Sequence, residues 1–359
     1  MPNFTGQLNP NSIYGFIYNM IISQETFGDN IAGAYSELVD MSRVDGGLYG
    51  DQKLYYAVDI LKSFPWGGDN EATNLLALDR APSPKCQSIV LDTFRQIRLT
   101  VDNYLSKRAW STEGAFSSFN SIMLSMIRDT KRVYDATTFN TYIGTTETTV
   151  GKQSITITPV EGQNDALTMA EALASLLVSL KNVSRAYNDY GYMRSWRESD
   201  LVVVWNAKQY NTLKYIDLPT IFHKDGLLNE FEQKVLPEEY FGSVVGTSGQ
   251  TTIPEEGVQI YRTLVEGDFT GTDGVTVHLF PGEQIPAGAV VNQAETYIQE
   301  SKIAFKLMHR RSVPYMSAFE VGTSFFNPRS LTENNYLTFG HNKPEYLKNY
   351  PFITAEFAG

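Results

Sequence analysis

The residue types that most often carry catalysis are sparse in this chain and poorly spaced for it. The four histidines, His223, His278, His309 and His341, lie far apart and form no HExxH or HxxxH pair, so no helix-borne metal site is indicated. A single cysteine, Cys86, excludes both an intramolecular disulfide and a Cys-based zinc cage. Paired acids are the better candidates. Pro237-Glu238-Glu239 and Pro254-Glu255-Glu256 each place two carboxylates in loop-like sequence, and carboxylates roughly 5–10 Å apart can hydrolyse a glycosidic bond. Adjacent glutamates describe a solvated loop equally well. Asp268 to Gly274 is only loosely Ca²⁺-like, because the acid that should close such a loop is missing. GxGxxG, GxxxxGK and GxSxG signatures are absent, which removes the common nucleotide-binding and acyl-transfer sites. The sequence predicts no catalytic residue, no metal and no cofactor.

Three basic clusters remain: Lys107-Arg108, then Arg128, Lys131 and Arg132, then Lys306, His309, Arg310 and Arg311. The second has helical spacing with Asp129 and Asp135 beside it, which predicts intrahelical ion pairs. The third is denser and suits either a phosphate backbone or the acidic patch of a neighbouring copy. Against tight nucleic-acid binding stands the balance of 29 Lys and Arg to 40 Asp and Glu, a net charge of −11, since phosphate affinity comes mainly from cations displacing counterions. Hydrophobic residues reach 42% and aromatics 13%, while charged residues are only 19%. That balance supplies a core and suits large, partly apolar protein contacts. The N-terminus reads as neither signal peptide nor targeting segment, and no apolar run is long enough to cross a membrane. A cytosol-like compartment, or release by lysis, is expected.

The elements that would position these residues follow from periodicity. Residues 11–44 read as an interrupted amphipathic helix through Ile13, Phe16, Ile17, Met20 and Ile21. Residues 54–61 and 88–101 read as two long strands flanking a Pro- and Gly-rich tip over 64–85, a two-stranded excursion that needs a surface to lie on. Residues 113–142 form the clearest helix, with Phe116, Phe119, Ile122, Met123, Met126, Ile127, Thr130 and Val133 on one face and Gly144 to stop it. A strand is expected at 154–158. A helix is expected over 167–187, opened by a capping box at Thr168-Met169-Ala170-Glu171. Residues 200–206 read as a fully buried strand, followed at once by a short helix over 207–215. Strand candidates follow at 259–265, 275–280, 289–291, 303–308 and 315–326, with a polar loop at 242–256. The aromatic tail over 334–359 is too apolar to hang free.

This order resembles the major capsid proteins of tailed bacteriophages with the Hong Kong 97-type fold. Three stretches carry a closer similarity to the small podoviruses, the phi-29-like and picovirus-like group. The first is Leu78-Asp79-Arg80-Ala81-Pro82-Ser83-Pro84-Lys85 with the strand after it. The second is Asp102-Asn103-Tyr104-Leu105-Ser106-Lys107 before the long helix. The third is Asp189-Tyr190-Gly191-Tyr192-Met193 before Val202-Val203-Val204, with Asn206-Ala207 opening a helix. The resemblance covers most of the chain and lies in the order of its parts.

The resemblance implies an α+β fold with an N-terminal arm (1–44), an extended β-hairpin loop (45–101), a peripheral domain with a long spine helix (102–165), an axial domain (166–302), and late strands and a tail returning to the peripheral domain (303–359). It implies a structural protein without catalysis, assembled in the bacterial host cytoplasm into the virion. The partner it implies first is the chain itself, as pentamers and hexamers of an icosahedral shell. A portal or connector protein, a scaffolding protein and head fibres are further expectations, with double-stranded DNA held by weak contact and no membrane. Ile13 and Phe16 in the arm, Phe64 and Trp66 at the tip, and Tyr346 and Phe352 in the tail are the candidates for contacts between copies. Lys306, Arg310 and Arg311 are candidates for facing DNA. An encapsulin-like compartment and a carbohydrate-active hydrolase using the Pro-Glu-Glu acids are the competing expectations.

Overall fold

A computed structural model describes residues 37–47, 50–64, 78, 80–102, 113–146, 154–160, 165–215, 232–246, 250–252, 260–261, 267–270, 274–279, 290–292, 296–299 and 302–358. In chain order the elements begin with α1 (Glu37–Ser42), β1 (Arg43–Asp45), β2 (Gln52–Ala57), β3 (Lys85–Val101) and α2 (Glu113–Thr145). Then come β4 (Ser154–Ile157), α3 (Asp165–Lys181), β5 (Leu201–Asn206), α4 (Ala207–Tyr215), β6 (Glu232–Leu236), β7 (Gly242–Gly246), β8 (Gln250–Thr252) and β9 (Ile260–Tyr261). The last are β10 (Gly267–Thr270), β11 (Thr276–Leu279), β12 (Val290–Asn292), β13 (Thr296–Gln299), β14 (Ile303–His309), β15 (Tyr315–Asn327), β16 (Thr332–Asn342) and β17 (Phe352–Phe357). The chain divides into two compact units, each built from separated stretches.

The first unit comprises Met1–Asp51, Leu91–Ala136 and Met316–Lys343. Its strands run in the order β1-β15-β16-β3. Antiparallel pairing of β16 with β3 places Leu337 opposite Ile97 and Phe339 opposite Arg95. Asn342 lies opposite Leu91 but His341 opposite Thr93, so Asp92 is an extra residue on β3. This β-bulge explains why 88–101 alternates imperfectly in sequence. The Asp92 carboxylate accepts from the Lys343 N–H at 3.0 Å. On α2 the buried face runs through Ile127, Lys131, Tyr134 and Asp135, whereas Met126, expected on the apolar face, is exposed. Lys131 and Asp135 pair at 2.9 Å four residues apart, as the spacing predicted. Glu320 at 2.6 Å and Arg43 at 3.3 Å complete the network. Burying two charges is tolerable here because each finds an opposite partner.

The second unit comprises Gln52–Val90, Thr137–Tyr315 and Pro344–Gly359. Its main sheet has the order β4-β17-β14-β5-β6, with β14 antiparallel to β5 and β17, and parallel pairs β17–β4 and β5–β6 at the edges. Every residue of β5 and of β14 is buried, which is why β5 reads as a continuous apolar run, whereas β14 buries Lys306 and His309 within its apolar sequence. Met169, Leu173, Leu176, Leu177 and Leu180 of α3 pack with Leu201, Val203, Trp205, Phe305, Leu307 and Ile353. Helix α3 starts at Asp165 rather than at the expected capping box. Thr168 lies inside it, and its hydroxyl donates to the Asp165 carbonyl at 2.9 Å. The expected loop over 242–256 instead contains β7 and β8, paired with β13 and β12. The tail is docked through β16 and β17.

Candidate assembly surface

In β2 the side chains alternate: Lys53, Tyr55 and Ala57 turn inward, and Leu54 and Tyr56 turn out, with Tyr56 68% exposed. Antiparallel pairing with the start of β3 sets Cys86 opposite Tyr56, Ser88 opposite Leu54 and Val90 opposite Gln52, so one face of the ladder presents Leu54, Tyr56, Cys86 and Val90 to water. Beyond Ala57 the chain leaves the ladder, and Val58, Ile60, Leu61 and Phe64 are exposed, as is Leu78. Uncovered apolar rows of this length mark contact surfaces. Burying each such side chain fully is worth about 1.5–3 kcal/mol.

The expected contact residues divide. Phe64 is 68% exposed and belongs to the row just described, while Trp66, Ile13 and Phe16 lie outside the described residues. Tyr346 is half-buried; its hydroxyl donates to Asp189, and its ring stacks on Phe352 at 5.5 Å. Burial and the Asp189 carboxylate push that phenol well above its usual range. Phe352 is fully buried at the start of β17, opposite Met308 of β14. As a contact between copies it is therefore corrected: it opens a buried stretch of β17, Phe352 to Ala355, and its ring lies inside its own molecule.

The basic cluster divides as well. Lys306 is only 1% exposed. Its Nζ donates to the Thr146 carbonyl at 2.6 Å and lies 5.9 Å from the centre of the Phe352 ring. The last turn of α2 carries no basic residue of its own, so Lys306 supplies the cation that the carbonyl end of a helix favours. A DNA-facing role for Lys306 is therefore corrected to a structural one. Arg310 and Arg311 are exposed, and Arg310 pairs with Glu232 at 2.9 Å.

Between these arginines and the sheet lies His309, buried among aromatic rings. Its ring stacks on Tyr350 at 4.4 Å and meets Trp196 at 5.3 Å. Nδ1 accepts from the Arg311 N–H at 3.0 Å, which puts the ring proton on Nε2. Burial pushes this imidazole down to about 4, against the pull of Asp200 and with the help of Arg311 and Arg310.

Of the two carboxylate pairs, one lies among the described residues. Glu238 sits in a short turn and pairs with Lys208 at 3.3 Å, and Glu239 is exposed; Glu255 and Glu256 lie outside the described residues. His278 pairs with Asp268 at 2.8 Å on an exposed hairpin. Among the described residues no group of three or more His, Cys, Asp or Glu side chains converges as a metal site would require.

Sequence reasoning missed one apolar surface, in the first unit. Strands β15 and β16 form a long hairpin whose Val321, Phe325, Phe326 and Leu331 are exposed, Phe325 at 62%. Adjacent aromatics at Phe325-Phe326 point to opposite faces of the strand, so at least one had to face out; in the structure both are exposed.

A family model described as Phi29-like phage major capsid protein matches residues 10–344. The chain is also similar to solved structures. One belongs to the capsid of Staphylococcus phage Andhra, at 10% identity over 89% of this chain and 83% of that chain, with a TM-score of 0.58. Another belongs to a bacteriophage P68 structure of head fibre and inner core protein, at 11% identity over 87% and 83%, with a TM-score of 0.60. No curated protein matches the sequence.

Proposed function

The chain belongs to the Phi29-like phage major capsid protein family, and from that premise we propose that it tiles an icosahedral shell around the double-stranded DNA of a tailed phage. As a phage major capsid protein it is a structural component of the virion shell and associates with copies of itself. The observation that carries the fuller reading is the exposed apolar row Leu54, Tyr56, Val58, Ile60, Leu61 and Phe64, which a second copy would cover.

In this reading residues 1–44 act as an arm, 45–101 as the extended loop, 102–165 as the peripheral domain, 166–302 as the axial domain, and 303–359 as the returning tail. Ile13, Phe16, Phe64 and Trp66 contact neighbouring copies, arranged as pentamers and hexamers. Arg310 and Arg311 touch packaged DNA weakly. A net charge of −11 keeps the wall from holding the genome by many phosphate contacts, which would oppose packing and release. A portal protein, a scaffolding protein and head fibres complete the head, assembled in the host cytoplasm.

Electron microscopy of the expressed chain, with and without its neighbouring viral genes, tests the reading. Closed shells of uniform diameter are expected. A chain that stays monomeric under both conditions counts against it.

A further inference from the structure

The run Asp189-Tyr190-Gly191-Tyr192-Met193 sits where both legs of the β2–β3 hairpin are tied down, entirely within the second unit. On the ascending leg, the Asp59 carboxylate accepts from the Arg185 guanidinium, from the Met193 N–H at 3.0 Å and from the Ile60 N–H at 2.9 Å. Arg185 and these amides hold that carboxyl down at about 2. The Arg194 guanidinium donates to the carbonyls of Val58 at 2.7 Å and Met193 at 2.9 Å and to Asn349 Oδ1 at 3.2 Å, and lies over the Tyr192 ring.

On the descending leg, Lys85 Nζ stands 5.0 and 5.4 Å from the ring centres of Tyr190 and Tyr192. Gln87, buried, donates to the Tyr346 carbonyl at 3.0 Å and Glu345 Oε1 at 3.1 Å, and accepts from the Lys348 N–H at 2.9 Å. The tail is bound back to the same run, the Lys348 carbonyl accepting from the Asp189 N–H at 2.9 Å. Gly191 turns the run at φ +66°, a conformation open to glycine. Asn188, buried, closes the turn through the N–H and carbonyl of Tyr192.

The hairpin is thus gripped at its roots by polar and cation–aromatic contacts, while its outward side chains Leu54, Tyr56 and Phe64 stay uncovered. We infer that Asp59, Arg194 and Gln87 are positioning residues that fix the direction in which the hairpin leaves its own molecule, so that its apolar row meets a second copy. The inference rests on the proposed assembly. A projection fixed in advance loses less freedom on association, and each saving is repeated at every contact of a closed shell. Arginine suits position 194 because one planar fork reaches acceptors on three chain segments, which a lysine ammonium does not.

The full-length chain carrying Arg194→Ala, Asp59→Asn, Gln87→Ala or Arg194→Lys is compared with the parent by two readouts. The first is limited proteolysis of the unassembled chain between residues 58 and 85. Cleavage is expected to rise about tenfold in Arg194→Ala, with the melting temperature little changed, because local opening is easier there than global unfolding. The second is particle yield and diameter by sedimentation and electron microscopy. Yield is expected to fall about tenfold or the particles to become irregular, with Arg194→Lys closer to Ala than to the parent. Variants cleaved at the parent rate, or cleaved faster yet forming parent-like shells in parent yield, overturn the inference alone. A parent that forms no particles either alone or with its neighbouring viral genes overturns the assembly reading, and the positioning role falls with it.

Discussion

A charged or polar side chain does work in this protein according to what its neighbours leave open to it. Lys306 and Arg310 are four residues apart in sequence, yet one neutralises a helix end inside a sheet and the other sits in water beside Glu232. The two buried histidines among the described residues show the same dependence. His341 donates from Nδ1 to the Asn342 carbonyl at 2.8 Å, and its Nε2 lies 3.0 Å from the Tyr134 hydroxyl. Burial pushes its pKa below the ordinary value, as it does for His309, which is held at about 4. The folded state therefore binds these protons less readily than the unfolded chain, and between the two pKa values unfolding takes up protons. Stability is expected to be level above the ordinary histidine value of about 6.5 and to fall as pH drops from there towards about 4. His309→Phe, which keeps the ring stack, is expected to flatten that fall. Melting temperature against pH checks it, and an unchanged slope in the variant speaks against the assignment.

At the scale of elements, close approach decides what propensity leaves open. Gly144 reads in sequence as a helix stop, but α2 runs through it to Thr145. A Cβ there would stand 1.9 Å from the Tyr240 carbonyl oxygen, in the turn Glu238–Tyr240. The obstacle is backbone, which cannot swing away as a side chain can. Gly144→Ala is expected to cost about 1–3 kcal/mol or more by overpacking, although alanine is the better helix former. Urea unfolding measures it, and an unchanged or raised midpoint is the contrary result. The β2–β3 hairpin makes the complementary point: its ladder was legible from two apolar runs about a Pro/Gly tip, while the bulge at Asp92 appears only once β16 is paired beside it.

For the whole molecule, the described surface carries apolar rows that its own core does not use. Along the hairpin Leu54, Tyr56, Val58, Ile60, Leu61 and Phe64 are exposed, and in the proposed assembly a second copy covers them. Replacing residues 64–84 by a short Gly/Ser linker is expected to leave a soluble, folded chain that forms no shells, because the roots of both legs remain gripped within the second unit. Circular dichroism and sedimentation together check this, and normal shells from the shortened chain contradict it.

Sequence by itself determined the long helix, the buried strand Leu201–Asn206, the helix Ala207–Tyr215 after it, the hairpin legs and the family resemblance, because each rests on local periodicity or on order along the chain. Only the tertiary structure decided that Lys306 and Phe352 are interior, that Met126 faces water, and that the Asp189–Met193 run grips the hairpin. Those outcomes depend on partners more than a hundred residues away, such as Val58 for Arg194 and Thr146 for Lys306. A periodicity window cannot contain such pairs, and burial, which reverses the meaning of a lysine or a phenylalanine, is set by them.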